Sequence, residues 1–191
     1  MNIVFEGLPG AGKSTLISEL IKNESGIIIG EFCEGISGVL GDIDYFINNE
    51  KKKNKIMKMN SSGQICYVDR FWQSTLISNA VSCGVKTEKE LRELYNIIYK
   101  GYAFEDYVYV FLDIPSSISL KRNDNTLEAQ QCMWFNETFN KKAYEMYHLF
   151  YESIEYVLMK KIHKVLIDTQ QCSVDDEVKC IKKLLNDNAL R

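Results

Sequence analysis

The stretch GLPGAGKST, residues 7–15, follows the apolar run Ile3-Val4-Phe5 and constrains this chain more than any other feature. Its spacing is Gly7, four residues, Gly12, Lys13, Ser14, the full phosphate-binding loop pattern. The glycines let the backbone curl until several N–H groups point at phosphate oxygens, where side chains would block the approach. Lys13 brings a cation to the β- and γ-phosphates, and the Ser14 hydroxyl is placed to ligate Mg²⁺. A helix opening near Gly12 adds the positive end of its dipole. Thr15-Leu16-Ile17-Ser18-Glu19-Leu20-Ile21 reads as that helix, so the segment predicts strand, loop, helix and a bound nucleoside triphosphate.

The rest of the chain must supply what such a loop sits on. Five β-like runs recur, at Ile3–Phe5, Ile27–Ile29, Ile65–Val68, Tyr107–Leu112 and Val165–Ile167, with helical stretches between them. That alternation predicts a three-layer α/β fold, a five-stranded parallel sheet with helices on both faces. The 191 residues contain only two prolines, no internal repeat and no low-complexity linker, which predicts one domain. A long late helix is predicted from Cys132, Phe135, Phe139, Ala143, Met146, Phe150, Ile154 and Val157, which recur every three or four residues.

Composition narrows the partners. A net charge of −3 argues against a nucleic-acid polymer, and the apolar runs are too short to span a bilayer. With its first strand read from the first residues, no signal peptide is expected, and its six cysteines form no CxxC pair. Reduced, mostly buried thiols in a cytoplasmic protein are expected. His148 and His163 lack metal-ligand neighbours at useful spacing and read as structural or surface residues.

In parallel α/β sheets ligands sit beyond the carboxyl ends of the strands. Those ends read Glu6-Gly7, Gly30-Glu31, Asp69-Arg70, Asp113 and Asp168. Asp69 is placed to hold Mg²⁺ directly or through water. Arginine is scarce, with only Arg70, Arg92, Arg122 and Arg191 among 23 basic residues. Arg70 lies at a strand end, where a guanidinium can grip phosphate in a bidentate way. The run Lys51, Lys52, Lys53, Lys55 and Lys58 reads as a solvated helix face that is also able to attract an anion.

Beyond the loop, YVDRFWQSTLISNA (67–80) resembles the Asp-Arg-aromatic signature of thymidylate kinases and, less closely, the Glu-Arg-Ser segment of deoxynucleoside kinases. VFLDIPSSISLKR (110–122), FNKKAYEMYHLF (139–150) and VLIDTQQCSVDDEV (165–178) resemble the strand leading to the lid, the helix after it and the adenine-side loop. The resemblance implies a P-loop NTPase fold with a lid over about 122–132, and transfer of the γ-phosphoryl of ATP, with Mg²⁺, to a nucleoside monophosphate. A deoxynucleoside, or another small metabolite, is the alternative acceptor. A rival class is a regulatory protein that binds ATP and hydrolyses it slowly. A homodimer is left open.

Position by position, the resemblance implies that Gly7, Leu8, Pro9, Gly10, Ala11, Gly12, Lys13, Ser14 and Thr15 bind the ATP phosphates. It gives Arg70 contact with the acceptor, Asp69 with Ser14 the metal, and Arg122 the transferring phosphoryl group. Gln170, Gln171, Cys172 and Ser173 lie beside the adenine, and Glu31 matches the base that acts on a 5′-hydroxyl in the nucleoside kinases. The chain departs from thymidylate kinases in having Leu8-Pro9 inside the loop and Gly30-Glu31-Phe32 after the second strand. The interval from Glu31 to Asp69 is also short; in the family this resembles, that stretch supplies the helix that reads the acceptor base.

Overall fold

A computed structural model describes residues 1–23, 25–36, 39, 41–60, 63–123 and 132–189. Five strands form one parallel sheet in the order β2-β3-β1-β4-β5: β1 (Asn2–Glu6), β2 (Gly26–Ile29), β3 (Ile65–Asp69), β4 (Val108–Asp113) and β5 (Lys164–Asp168). Phe5 lies opposite Asp69 in one neighbour and Val110 in the other, so the loop after β1 rises from the middle of the sheet. β1, β3 and β4 read as continuous apolar runs because both of their faces are covered.

Seven helices are described: α1 (Lys13–Asn23), α2 (Ile43–Met59), α3 (Trp72–Cys83), α4 (Glu88–Ile98), α5 (Ser116–Asn123), α6 (Glu137–Leu158) and α7 (Val174–Ala189). With the right-handed crossovers usual in parallel sheets, this strand order would carry α1 over one face and α2, α3, α4 and α6 over the other. The packing agrees, since α1 meets α7 while α3, α4 and α5 gather on α6. An aromatic cluster of Trp72, Tyr95, Tyr99, Phe104 and Phe150 fills the second layer.

Three expectations are corrected. The late helix begins at Glu137, because the Asn136 side chain accepts from Phe139 N at 3.0 Å and caps it there. Cys132 and Phe135 precede it, Phe135 within a single 3-10 turn, Met133–Phe135. The cysteines are free but mostly not buried: only Cys66 is buried, Cys33 is half-buried, and Cys83, Cys132, Cys172 and Cys180 are exposed. The lysine run is not wholly solvated, since Lys53 is 1% exposed. Of the lid over 122–132, residues 124–131 lie outside the described residues.

Candidate active site

The loop is shaped by backbone that other residues cannot adopt. Gly7 has φ +144°, and a Cβ there would stand 2.4 Å from the Leu112 carbonyl oxygen. Gly12 has φ +91° immediately before α1 opens. Lys13 is buried beneath the loop, its Nζ donating to the Gly7 and Leu8 carbonyls at 3.2 Å each. Burial, then the neighbouring Arg70, lowers its ammonium to about 8, against the opposing pull of Asp69, Glu31 and Glu6.

Ser14 Oγ donates to Asp69 Oδ2 at 2.8 Å, which joins the start of α1 to the end of β3. Asp69 Oδ1 is buried without a hydrogen-bond partner among the described residues. Hydroxyl and carboxylate oxygens, one of them unsatisfied, are the hard donors Mg²⁺ takes when phosphate and water supply its other ligands, so the site fits that ion. Among the described residues no group of three or more His, Cys, Asp or Glu is arranged to hold a metal ion.

Arg70 occupies a left-handed conformation, φ +56°, which is costly for a residue with a Cβ. Two contacts hold it there: Arg70 N donates to the Phe5 carbonyl at 3.0 Å, and the buried Lys53 Nζ donates to the Asp69 and Arg70 carbonyls at 2.7 Å each. Its guanidinium then reaches Glu31 Oε1 through Nε at 3.2 Å, Ser74 Oγ at 2.9 Å and the Tyr147 hydroxyl at 3.3 Å through NH1. Trp134 covers it, with the guanidinium carbon 5.5 Å from the ring centroid. Burial opposes this charge, but Tyr147, Glu31, Glu6 and Asp69 together raise its pKa.

Glu6, which the sequence marked only as a strand end, is the centre of this network. Its Oε1 accepts from Phe71 N at 2.7 Å, and Oε2 from Ser74 Oγ at 2.5 Å and the Tyr147 hydroxyl at 3.1 Å. Burial pushes its carboxyl up, while Arg70, Ser74 and Phe71 pull it down. The available signal was position, a carboxylate continuing a strand that is buried from Ile3 onward.

Arg122, at the end of α5, donates from NH1 to the Gly10 carbonyl at 2.8 Å, so it reaches the phosphate loop. Ser119 Oγ, one helical turn earlier, donates to the Pro9 carbonyl at 2.7 Å. Gln170, Gln171, Cys172 and Ser173 form an exposed turn after β5, at the same edge of the sheet. Gln170 N and Gln171 N donate to Asp168 Oδ1, and Ser173 Oγ accepts from Asp176 N at the start of α7. His148 Nε2 lies 3.1 Å from Asp113 Oδ1, a structural pairing beside Phe111.

A cavity of about 220 Å³ opens beside Arg70, lined by Glu31, Phe32, Phe46, Glu50, Lys53, Phe71 and Trp134 among others. Asn49 shapes its mouth, accepting from Cys33 N and donating to the Glu31 carbonyl, both at 2.8 Å. The phosphate loop, Asp69, Arg70 and Glu31 thus converge, with the cavity on the Arg70 side.

No protein-family model matches the chain, and no curated protein matches it. Solved structures do match it, over nearly its full length. Deoxyadenosine kinase from M. mycoides with bound dATP is 18% identical, with 97% of this chain and 100% of that chain covered and a TM-score of 0.68. Thymidylate kinase from Candida albicans is 16% identical over 98% of this chain and 92% of that one, again with a TM-score of 0.68. The YorR protein of Bacillus subtilis, in complex with phosphorylated GDP, is 20% identical over 100% and 99%, with a TM-score of 0.57. With its parallel sheet in the order 2-3-1-4-5 and its phosphate loop after β1, the chain has the P-loop fold of the thymidylate and deoxynucleoside kinases.

Proposed function

We propose that this chain is a cytoplasmic, ATP-dependent kinase that phosphorylates the free 5′-hydroxyl of a nucleoside. The observation that carries the reading is the pair formed by Glu31 Oε1 and Arg70 Nε at 3.2 Å, at the mouth of the cavity. A phosphorylated acceptor needs an open guanidinium edge, yet Arg70 already has its Nε side on Glu31 and NH1 on Ser74 and Tyr147. A carboxylate fixed beside the arginine suits an acceptor that must lose a proton.

In this reading Lys13 and the loop N–H groups hold the ATP phosphates, and Gln170, Gln171, Cys172 and Ser173 flank the adenine. Ser14 and Asp69 would hold Mg²⁺, which would supply charge neutralisation at the phosphates when bound. Glu31 takes the hydroxyl proton while the acceptor oxygen bonds to the γ-phosphorus and the bond to the β–γ bridging oxygen breaks, releasing ADP. Arg70 orients Glu31 and the hydroxyl, and Arg122 leaves Gly10 to meet the transferring phosphoryl group.

A second reading, a nucleoside monophosphate acceptor, is favoured by the Asp69-Arg70-Phe71 and Ser74 signature. Coupled measurement of ADP formation over deoxynucleosides and their 5′-monophosphates separates the two. Turnover on nucleosides supports the proposal. Turnover confined to monophosphates overturns it, and ATP hydrolysis that ignores every acceptor points to the regulatory alternative.

A further inference from the structure

A run of buried polar contacts leads from the phosphate loop to the Trp134 ring that covers Arg70. Ser119 Oγ donates to the Pro9 carbonyl at 2.7 Å and accepts from Asn140 Nδ2 at 3.3 Å. The same Nδ2 donates to the Trp134 carbonyl at 2.7 Å. Ser119 and Asn140 are both 0% exposed, so water does not compete for these bonds. The run joins the loop after β1, α5, α6 and the turn Met133–Phe135.

Asn140 is a poor choice for stability alone. Its two amide N–H groups match two acceptors, but Oδ1 is buried with no hydrogen-bond partner among the described residues. Turning the amide over would set that oxygen against the Trp134 carbonyl, so the orientation is fixed and the orphan remains. A buried acceptor left unmade costs free energy and calls for a role beyond packing.

We propose that Asn140 is a positioning residue that couples occupancy of the phosphate loop to the seating of Trp134 over Arg70. At one end, Lys13 Nζ directs two of its three N–H groups to the Gly7 and Leu8 carbonyls. Phosphates that recruit Lys13 therefore alter the loop immediately before Pro9. Ser119 holds Pro9 and passes the change to Asn140. At the other end, Trp134 is half-buried, meets Phe139 edge-on at 5.3 Å and lies 5.5 Å from the guanidinium carbon. A shift of its carbonyl moves the ring against the arginine that faces the cavity. This inference rests on the reading of the loop as an ATP site and adds a link from that site to the acceptor side.

Tryptophan emission tests it, because the chain has only Trp72 and Trp134. Trp72 is 0% exposed within the aromatic cluster, so a change on nucleotide binding reports Trp134, and Trp134→Phe checks that assignment. The probe is the non-hydrolysable analogue AMP-PNP with Mg²⁺ and no acceptor, its binding measured separately by calorimetry. Ser119→Ala and Asn140→Leu break the run at different bonds, and leucine keeps nearly the shape of the amide. Emission is compared at saturating AMP-PNP, so its amplitude does not depend on affinity.

The wild-type emission should change on saturation, and Trp134→Phe should lose that change. Ser119→Ala and Asn140→Leu should bind AMP-PNP within about tenfold of wild type, the scale of a coupling free energy, yet lose the response. A residue that only fills the core would lower the urea midpoint and leave the response intact, and that result overturns the inference. Ser119→Ala decides alone if Asn140→Leu fails to fold. Calorimetric binding to wild type without a change in emission, or a change that survives Trp134→Phe, overturns the inference while the ATP site stands. A wild-type protein that binds no AMP-PNP sinks the ATP-site reading, and this inference with it.

Discussion

Ser14 and Asp69 stand 55 positions apart in sequence and meet at 2.8 Å, with Asp69 presenting a second, buried oxygen that has no hydrogen-bond partner among the described residues. The contact exists because β1 and β3 are parallel neighbours, which brings the loop after one to the end of the other. An unsatisfied carboxylate oxygen there is costly unless a cation takes it. Asp69→Asn should therefore lower kcat by a hundredfold or more, a loss of about 3 kcal/mol of transition-state stabilisation. Chelation by EDTA should stop turnover, with recovery on adding Mg²⁺. Metal-independent ADP formation, or an Asp69→Asn variant with wild-type kcat, would refute the assignment.

A second prediction concerns the buried lysine that holds Arg70 in place. Lys53→Met leaves the Asp69 and Arg70 carbonyls without their shared donor, and an unmade buried hydrogen bond costs about 1–3 kcal/mol. Relaxation of the left-handed Arg70 should then turn the guanidinium away from Glu31. The expected outcome is lower stability in urea together with a rise of about tenfold in acceptor KM, while the KM of ATP stays near wild type. Lower stability with an unchanged acceptor KM would reduce Lys53 to a packing role.

The third prediction follows from burial of Glu50, whose carboxyl rises from its ordinary 4.5 to about 8. Lys53 on α2, Glu6 on β1 and the hydroxyls of Thr75 and Tyr99 face it. Tyr102 also senses its charge. Between those two values the folded state holds a proton that the unfolded chain has released. Stability attributable to this group therefore falls as pH rises through the window. Glu50→Gln does not titrate, so its stability relative to wild type should climb between pH 5 and pH 8, by at most about 1.4 kcal/mol per unit. Urea unfolding at each pH measures it. Parallel wild-type and variant curves would show that Glu50 ionises normally.

Much of the architecture was legible in the residues, and the reasons differ from place to place. Ile3-Val4-Phe5 and Tyr107–Leu112 could be read as strands because both faces are buried and the apolar run is continuous. The phosphate loop was legible because its backbone demands are local and only glycine meets them. Lys53 was not, because five lysines in eight positions look like solvent, and only their place on the helix distinguishes them. Asn49, Glu50, Lys53 and Met57 recur at three and four, the spacing of a buried face written in polar residues. Such a face makes sense only once a cavity stands opposite it. The start of α6 was missed for a simpler reason: the apolar period runs back through Cys132, and Asn136 ends it by capping the helix.

The last prediction concerns what the Glu31–Arg70 pair is for. An acceptor with a free hydroxyl needs a base, because its proton must leave as the new bond to phosphorus forms. Glu31 is exposed enough to meet solvent-borne substrate, and Arg70 fixes its direction at 3.2 Å. Glu31→Gln keeps the size and a hydrogen-bonding oxygen but removes the basic carboxylate. Its kcat on a nucleoside should fall by about 10²–10⁴-fold, with acceptor KM changed little. A phosphorylated acceptor leads to the opposite result, since its oxygen is already largely ionised and Arg70, freed from Glu31, would grip it. Glu31→Gln would then leave kcat near wild type, and Arg70→Ala would carry the loss through acceptor KM. Steady-state rates of the two variants on the same acceptor therefore decide between a hydroxyl and a phosphate as the group that receives the phosphoryl.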